Sequence, residues 1–232
     1  MKSLRGALLT LKSMGFEALL REAVRRALGV EYCYRGIPIN SNAAFRSVRN
    51  IVMKGYDIYR SADEACVRTH FGELCVDAKD ADLLGVLAEP LEDMYGFINV
   101  ENAVVVDVGA FIGETALMFL FKGASRVYAL EPVYKHYQYL LRNIRRNNAA
   151  NVVALNYGVW FRDTRLTVDY NGAGTGLRSS AEAPVAIEVR DLGGILREVF
   201  EREGRIDLVK MDCEGCEYSL LSLHADDLRL AK

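Results

Sequence analysis

The chain has 232 residues, enough for one large domain or for a domain with a sizeable extension. Hydrophobic residues make up 51% and charged residues 26% of the sequence, which is typical of a protein that buries a core. Lysine and arginine total 29 against 31 aspartate and glutamate. This near balance argues against broad electrostatic binding to nucleic acid.

The five cysteines are an odd number and are widely spread: Cys33, Cys66, Cys75, Cys213 and Cys216. That pattern argues against the disulfide framework of a secreted protein and predicts a reducing, cytoplasmic location. No apolar run approaches the roughly 20 residues that a membrane-spanning helix needs. The first residues also lack the apolar core and the cleavage site of a signal peptide.

Residues 4–28 place apolar side chains three and four positions apart, which predicts one or two amphipathic helices with a break at Gly15. This is the most basic part of the chain, with Lys2, Arg5, Lys12, Arg21, Arg25 and Arg26. Two interpretations are open. The basic face could contact an anionic membrane surface or partner, or it could be the solvated face of a helix packed on the main domain, which is the more common case.

Residues 30–75 contain short β-like runs, the clearest at 51–58 and in the pair ACVRTHF and LCVDA. The pair is joined by Gly72 and Glu73, which predicts a hairpin. Residues 81–98 are predicted to be helical with a kink at Pro90. We therefore expect residues 1–100 to form an α+β extension or lid and residues 101–232 to form the main domain.

From residue 103 the pattern becomes an alternation of strands and helices. AVVVDVGA, RVYALEP, NVVALNYGV and IDLVKMD are predicted strands, with helices at 113–122, 134–147 and 192–202. LTVDY and VAIEV are further strand candidates around the glycine-rich turn NGAGTG. This alternation predicts an α/β fold with a doubly wound, mainly parallel sheet.

The stretch DVGAFIG, residues 107–113, lies where the first of these strands turns into its helix. Open α/β sheets bind ligands at the carboxyl ends of their strands, and Gly109 permits a tight turn there. The pattern is D-x-G-x-x-x-G, with Phe111 where a dinucleotide-binding turn would require glycine. An acid at the strand end suits a ligand that carries positive charge, such as an amino group or a sulfonium.

Glu131 ends the next strand, 24 residues after Asp107. A carboxylate at this place can accept hydrogen bonds from both hydroxyls of a ribose, so the two acids together indicate a nucleoside-bearing ligand. The alternative is that Glu131 is a solvated loop acid.

Three segments together, VVVDVGAFIG, VYALEP and IDLVKMDCEGCE, resemble the FkbM-type family of S-adenosylmethionine-dependent methyltransferases over about residues 70–225. The resemblance implies a Rossmann-like methyltransferase fold and methyl transfer to a hydroxyl of a sugar, a glycan or another small metabolite. It also implies a cofactor site for S-adenosylmethionine. Asp107, Gly109, Ala110 and Gly113 would line its methionine half, Glu131 would bind its ribose, and residues 156–160 with Val159 would lie near its adenine.

The last motif, KMDCEGCE, supplies the acceptor side of the predicted site. Side chains alternate along a strand, so Leu208, Lys210 and Asp212 share one face. Asp212 or Glu214 is predicted to orient the acceptor or to take its proton. The alternative is a structural ion-pair network of Lys210, Asp212 and Glu217. The histidines, His70, His136 and His224, have no metal-binding spacing, so no metal is expected.

Two rival functions stay open: a redox or metal-binding module at Cys213 and Cys216, and a non-catalytic domain that binds S-adenosylmethionine or a partner protein. The resemblance also implies further sheet strands after residue 225, and we expect these to be missing from this sequence. Without them we expect the strand at Leu208 to be an exposed edge, covered by the extension or by a second copy in a homo-oligomer.

Overall fold

The computed structural model describes residues 2–170, 175–176, 183–213 and 215–230. The chain forms two compact units, Met1–Met94 and Tyr95–Lys232. Among the described helices, none combines the length and the hydropathy that crossing a membrane requires.

The first unit is α+β, as expected. Its helices are α1 (Lys2–Met14), α2 (Phe16–Leu28) and α3 (Asn42–Met53), followed by a 3-10 helix (Ala78–Ala88) and the start of α4 (Leu91–Tyr95). Its strands are β1 (Tyr32–Tyr34), β2 (Ile37–Ile39), β3 (Asp57–Ser61), β4 (Glu64–Arg68) and β5 (Glu73–Asp77). Gly15 separates α1 from α2 at a φ of 88°, as predicted. Pro90 likewise separates the 3-10 helix from α4.

The prediction of a β-like run over residues 51–58 is wrong for its first half, because α3 continues to Met53. Ser41 caps this helix by accepting a hydrogen bond from the Ala44 N–H at 3.0 Å. Its buried residues follow a helical spacing: Ala44, Phe45, Val48 and Ile51. The apolar residues at 51–52 therefore complete a helical face rather than begin a strand.

Strands β3, β4 and β5 form an antiparallel sheet in sequence order, which confirms the predicted hairpin. In its register Cys66 lies directly opposite Cys75, and the two form a disulfide. Cys213 and Cys216 form a second disulfide, and Cys33 is a free, exposed thiol. The odd count and wide spread of the cysteines argued against such pairing. Strand register, which spacing along the chain does not reveal, brings the first pair together.

The second unit contains the α/β domain. Its strands are β6 (Val104–Val108), β7 (Arg126–Leu130), β8 (Val152–Leu155), β9 (Gly158–Trp160), β10 (Thr164–Tyr170), β11 (Thr175–Gly176), β12 (Ala183–Asp191) and β13 (Leu208–Met211). Its helices are α5 (Glu114–Phe121), α6 (Tyr134–Arg146), α7 (Leu192–Glu203) and α8 (Ala225–Leu228), with a 3-10 helix at Cys216–Ser222.

The main sheet is parallel and has the order β13-β6-β7-β8. Every residue of β6 is buried, as expected for a strand covered on both faces. One face packs Val104, Val106 and Val108 into a core that includes Ile195 and Val199 of α7. This arrangement confirms the predicted Rossmann-like sheet. Strand order reverses between β6 and β13, which is the switch point where such sheets bind ligands.

A second sheet has the order β11-β10-β12-β9. The predicted strand NVVALNYGV is therefore two strands, β8 in the main sheet and β9 in the second one. Strand β12 pairs in parallel with β9 and antiparallel with β10. Most of the predicted turn NGAGTG, residues 171–174, lies outside the described residues.

Candidate active site

The turn after β6 is built around Gly109, at a φ of 76°. The N–H groups of Gly109 and Ala110 both donate to the carbonyl of Leu130, at 3.0 and 2.9 Å, so this turn is held against the end of β7. A Cβ at position 109 would lie 2.1 Å from the carbonyl oxygen of Asp212. Only glycine therefore lets the end of β6 lie this close to the end of β13.

Asp107 is fully buried on β6, and its carboxylate has two side-chain neighbours. The Thr115 hydroxyl donates to Asp107 Oδ2 at 2.6 Å. Lys210 lies opposite it on β13, with Nζ 3.0 Å from Asp107 Oδ1. Lys210 Nζ also donates to the carbonyl of Gly109 at 3.0 Å. This ion pair joins the two strands that flank the switch point.

Glu114 begins α5 and is 4% exposed. Burial raises its pKa to about 8, against the opposing effect of Lys210, while Asp107 and Glu131 add to the rise. Its Oε2 atom is buried and has no hydrogen-bond partner among the described residues. At Lys210, burial lowers the pKa, but Asp107 and Glu114 outweigh burial, so the pKa lies above its ordinary value. The site thus contains a buried cluster of two carboxyls and one ammonium.

Glu131 is also buried, and both of its carboxylate oxygens accept backbone hydrogen bonds. The Phe111 N–H donates to Oε2 at 3.0 Å, and the Val133 N–H donates to Oε1 at 2.8 Å. Glu131 therefore links the turn after β6 to the start of α6 and is not a solvated loop acid. Asn156 donates to the Glu131 carbonyl at 2.9 Å, which ties the end of β8 to the same place.

Asp212 follows β13 and is exposed, unlike the acids at the ends of β6 and β7. The Tyr95 hydroxyl donates to Asp212 Oδ2 at 3.3 Å. Burial raises the pKa of Tyr95 to about 12, so this hydroxyl stays protonated at neutral pH. Glu217 accepts hydrogen bonds from the N–H groups of Cys213 and Gly215, at 3.0 and 2.7 Å, and holds the turn after β13. Glu214 lies outside the described residues.

A cleft that is partly open to solvent lies at the carboxyl ends of β6 and β13. Its lining is mainly apolar: Val108, Gly109, Pro132, Gly158, Val159, Trp160, Leu166, Val168, Ile187, Val189, Cys213, Gly215 and Cys216. Of the residues predicted to bind the cofactor, Gly109 and Val159 line it, whereas Asp107, Ala110, Gly113 and Glu131 do not.

The pattern for the methyltransferase FkbM domain matches residues 107–230, more than half of the chain. The chain belongs to the FkbM methyltransferase family. The family predicted from the sequence is thereby confirmed, and with it S-adenosylmethionine as the family's cofactor. The match begins at Asp107 and includes the turn after β6, Glu131 and the KMDCEGCE motif. Comparison with curated proteins gives no significant match.

Several solved structures resemble part of this FkbM-family chain. M. jannaschii TYW2 in complex with AdoMet is 26% identical, with a TM-score of 0.32, over 42% of this chain and 45% of its own. Trm5b from Pyrococcus abyssi is 23% identical, with a TM-score of 0.34, over 44% of this chain and 32% of its own. Methanocaldococcus jannaschii Trm5 in complex with adenosine is 14% identical, with a TM-score of 0.36, over 59% and 52%. The chain thus spans about half or less of the length of each.

The sequence did not single out three groups that the structure adds to the site. Glu114 and Thr115 follow directly after the glycine turn. Their position in the first turn of α5 could have indicated that they belong to the site. Nothing in the sequence indicated Tyr95, because it lies 117 positions from Asp212. The alternative interpretation of the last motif placed Lys210 in an ion-pair network with Asp212 and Glu217, whereas in the structure Lys210 pairs with Asp107.

Proposed function

We propose that this chain is an S-adenosylmethionine-dependent methyltransferase that methylates a hydroxyl group of a sugar, a glycan or another small metabolite. The observation that carries the proposal is the apolar cleft at the switch point of the sheet, inside the region that matches the FkbM family. Ligands of open α/β sheets bind at this place.

The residues present fit such a cofactor. Apolar side chains such as Val159, Trp160 and Pro132 line the cleft and suit the faces of an adenosine group. Nearby, the buried Oε2 of Glu114 has no hydrogen-bond partner among the described residues, so it can form a hydrogen bond with a polar group of a ligand. When bound, S-adenosylmethionine supplies a methyl group activated by a sulfonium.

Within this proposal, different residues of the chain bind different parts of the cofactor. Asp107, Gly109, Ala110 and Gly113 hold the methionine half at the turn after β6. Glu131 accepts hydrogen bonds from the ribose, because each of its oxygens has a second lone pair besides the one used by a backbone N–H. The segment 156–160, with Val159 in the cleft wall, contacts the adenine.

Asp212 is the proposed base. An alcohol is a poor nucleophile and gains from a nearby group that accepts its proton. Asp212 Oδ1 would take the proton of the acceptor hydroxyl, and the acceptor oxygen would receive the methyl group that S-adenosylmethionine supplies. Tyr95 holds the other oxygen of Asp212 and so orients the carboxylate. Alignment of the reacting atoms supplies much of the acceleration.

A redox module at Cys213 and Cys216 is the second candidate, since the two form a disulfide in the wall of the same cleft. Under this alternative the cofactor would bind independently of the cysteines, and the activity would be thiol–disulfide exchange. The family match favours the methyltransferase, because residues 107–230 match the methyltransferase FkbM domain and include both cysteines.

Calorimetric titration with S-adenosylmethionine, followed by a labelled-methyl transfer screen over hydroxyl-bearing sugars and small metabolites, tests the proposal. We expect saturable binding that weakens in Asp107→Asn and Glu131→Gln, and transfer to at least one hydroxyl acceptor. Absence of binding by the wild-type chain contradicts the cofactor assignment. Binding without transfer to any acceptor favours the non-catalytic domain.

A further inference from the structure

Helix α2 carries a stripe of large apolar side chains that face solvent. Phe16, Leu20, Val24 and Leu28 are 69%, 53%, 42% and 71% exposed. They recur every four residues, and at 3.6 residues per turn this spacing confines them to an arc of about 120° on one side of the helix. Isolated exposed apolar residues are ordinary, but four large ones on the same side of one helix indicate a contact surface.

The opposite side of α2 is the buried one, and it includes a charged residue. Ala18 and Glu22 are its buried residues. The Glu22 carboxylate accepts hydrogen bonds from Arg25 and Arg26, between 2.6 and 2.8 Å. A surface helix of a globular protein normally shows the reverse arrangement, with its apolar side buried. The side chains of Arg21 and Arg26 are nevertheless 51% and 58% exposed, so both interpretations of the basic residues stay open at this point.

Helix α1, which packs against α2, adds Leu8 and Leu11 to the exposed apolar surface, at 65% and 45% exposure. Exposed Arg5 and Lys12 lie on the same side of α1 as Leu8. Over Lys2–Leu28 there are six basic and two acidic residues, a net charge of +4, whereas the whole chain has a net charge of −2. The exposed acid, Glu17, is paired with Arg21 at 2.6 Å.

We propose that α1 and α2 dock on the surface of an anionic lipid bilayer. The stripe from Phe16 to Leu28 would enter the boundary between headgroups and acyl chains, and the flanking basic residues would contact the lipid phosphates. Exposed apolar residues on one side and arginine and lysine beside them are the features of an interfacial helix. A second copy of the chain fits less well, because two surfaces of net charge +4 repel each other. This proposal is independent of the proposed methyl transfer.

Co-flotation of the full chain with vesicles tests the proposal, using phosphatidylcholine alone and phosphatidylcholine mixed with phosphatidylglycerol. We expect binding to the mixed vesicles, weakened by salt, and little binding to phosphatidylcholine alone. The triple variant Phe16→Gln, Leu20→Gln and Leu28→Gln should lose affinity by about tenfold or more for each apolar side chain removed. Arg5→Gln with Lys12→Gln should lower the preference for the anionic vesicles.

Phe97→Gln is the matched control, because Phe97 is 81% exposed and lies outside these helices. It should bind as the wild type does. The single variants Leu20→Gln and Leu28→Gln are each expected to show a partial loss, which keeps the test informative if the triple variant folds poorly. The proposal is overturned if the wild type does not bind anionic vesicles or if the triple variant binds them equally. It is also overturned if the wild type is a dimer that the triple variant dissociates.

Discussion

Lys210 and Asp107 lie directly opposite each other on neighbouring parallel strands, with Lys210 Nζ 3.0 Å from Asp107 Oδ1 and both side chains buried. Removing one member of a buried ion pair leaves the other charge without compensation, which costs about 3–5 kcal/mol. Lys210→Met should therefore lower the free energy of unfolding by about that amount, measured by urea denaturation.

The double variant Asp107→Asn with Lys210→Met should recover most of this loss, because no buried charge is then left unpaired. The matched control is Arg165→Met, which breaks the exposed pair between Arg165 and Glu188. It should cost less than about 1 kcal/mol. If Lys210→Met and Arg165→Met lowered the free energy of unfolding equally, the result would contradict a buried, energetically coupled pair of Lys210 and Asp107.

The raised pKa of Glu114 predicts a pH-dependent stability. In the unfolded chain Glu114 loses its proton near its ordinary pKa of 4.5, whereas the folded chain keeps it up to about pH 8. Between these values the folded state binds the additional proton, so the free energy of unfolding falls as pH rises, by at most about 1.4 kcal/mol per pH unit.

Glu114→Gln replaces the protonated carboxyl with a neutral group of similar shape and should remove this contribution. The variant should be more stable than the wild type above about pH 8, and the difference should shrink towards pH 4.5. Urea denaturation across this pH range measures it. The control is Glu17→Gln at an exposed glutamate. If the free energy of unfolding of the two variants depended on pH in the same way, the raised pKa of Glu114 would be contradicted.

Gly109 and Gly204 separate the effect of backbone conformation from that of close approach. Their φ angles are 76° and 73°, but a Cβ at Gly204 meets nothing within 4 Å, whereas one at Gly109 lies 2.1 Å from the Asp212 carbonyl. Gly204→Ala should cost about 1–2 kcal/mol for the left-handed conformation. Gly109→Ala should cost about 2–5 kcal/mol, because the overlap adds to that strain. If the two variants lost similar stability in thermal unfolding, the ends of β6 and β13 would be able to move apart.

Asp212→Asn tests the proposed base. The amide cannot accept the hydroxyl proton, so the rate of methyl transfer should fall by about 10²–10⁴-fold. Affinity for S-adenosylmethionine should stay close to that of the wild type, because Asp212 is assigned to the acceptor and not to the cofactor. Asp226→Asn, at an aspartate whose side chain is 91% exposed, should change neither quantity. A normal rate in Asp212→Asn would assign the proton transfer to another group.

The two disulfides allow the rival redox function to be tested with an internal control. Cys213→Ser with Cys216→Ser changes the cleft wall, whereas Cys66→Ser with Cys75→Ser changes the sheet of the first unit. We expect both double variants to retain methyl transfer, because no step of the proposed reaction uses a thiol. Loss of a thiol–disulfide activity or of bound zinc in the first variant alone, with unchanged cofactor binding, would support the redox or metal module instead.

The sequence predicted the order of strands and helices in the second unit well, because a strand buried on both faces of a parallel sheet is a nearly continuous apolar run. The run around Val104–Val108 is apolar apart from Asp107, and the glycine turn follows it directly. Helix α3 was missed, because its apolar residues at 51–52 also fit the beginning of a strand. The division of residues 151–160 into β8 and β9 was missed for a related reason. The apolar run alone does not indicate that its two halves pair with different sheets.

By itself, then, the sequence determined the family, the parallel sheet and the acids at its strand ends, since these depend on residue type and local spacing. Tertiary structure decided which groups meet. Register placed Lys210 opposite Asp107 and not beside Asp212, and burial changed Glu114 from an unremarked helix residue to a carboxyl that keeps its proton near neutral pH. Packing also turned the apolar side of α2 outwards. Contacts between distant residues and the exclusion of water set these features, and neither is encoded in local spacing.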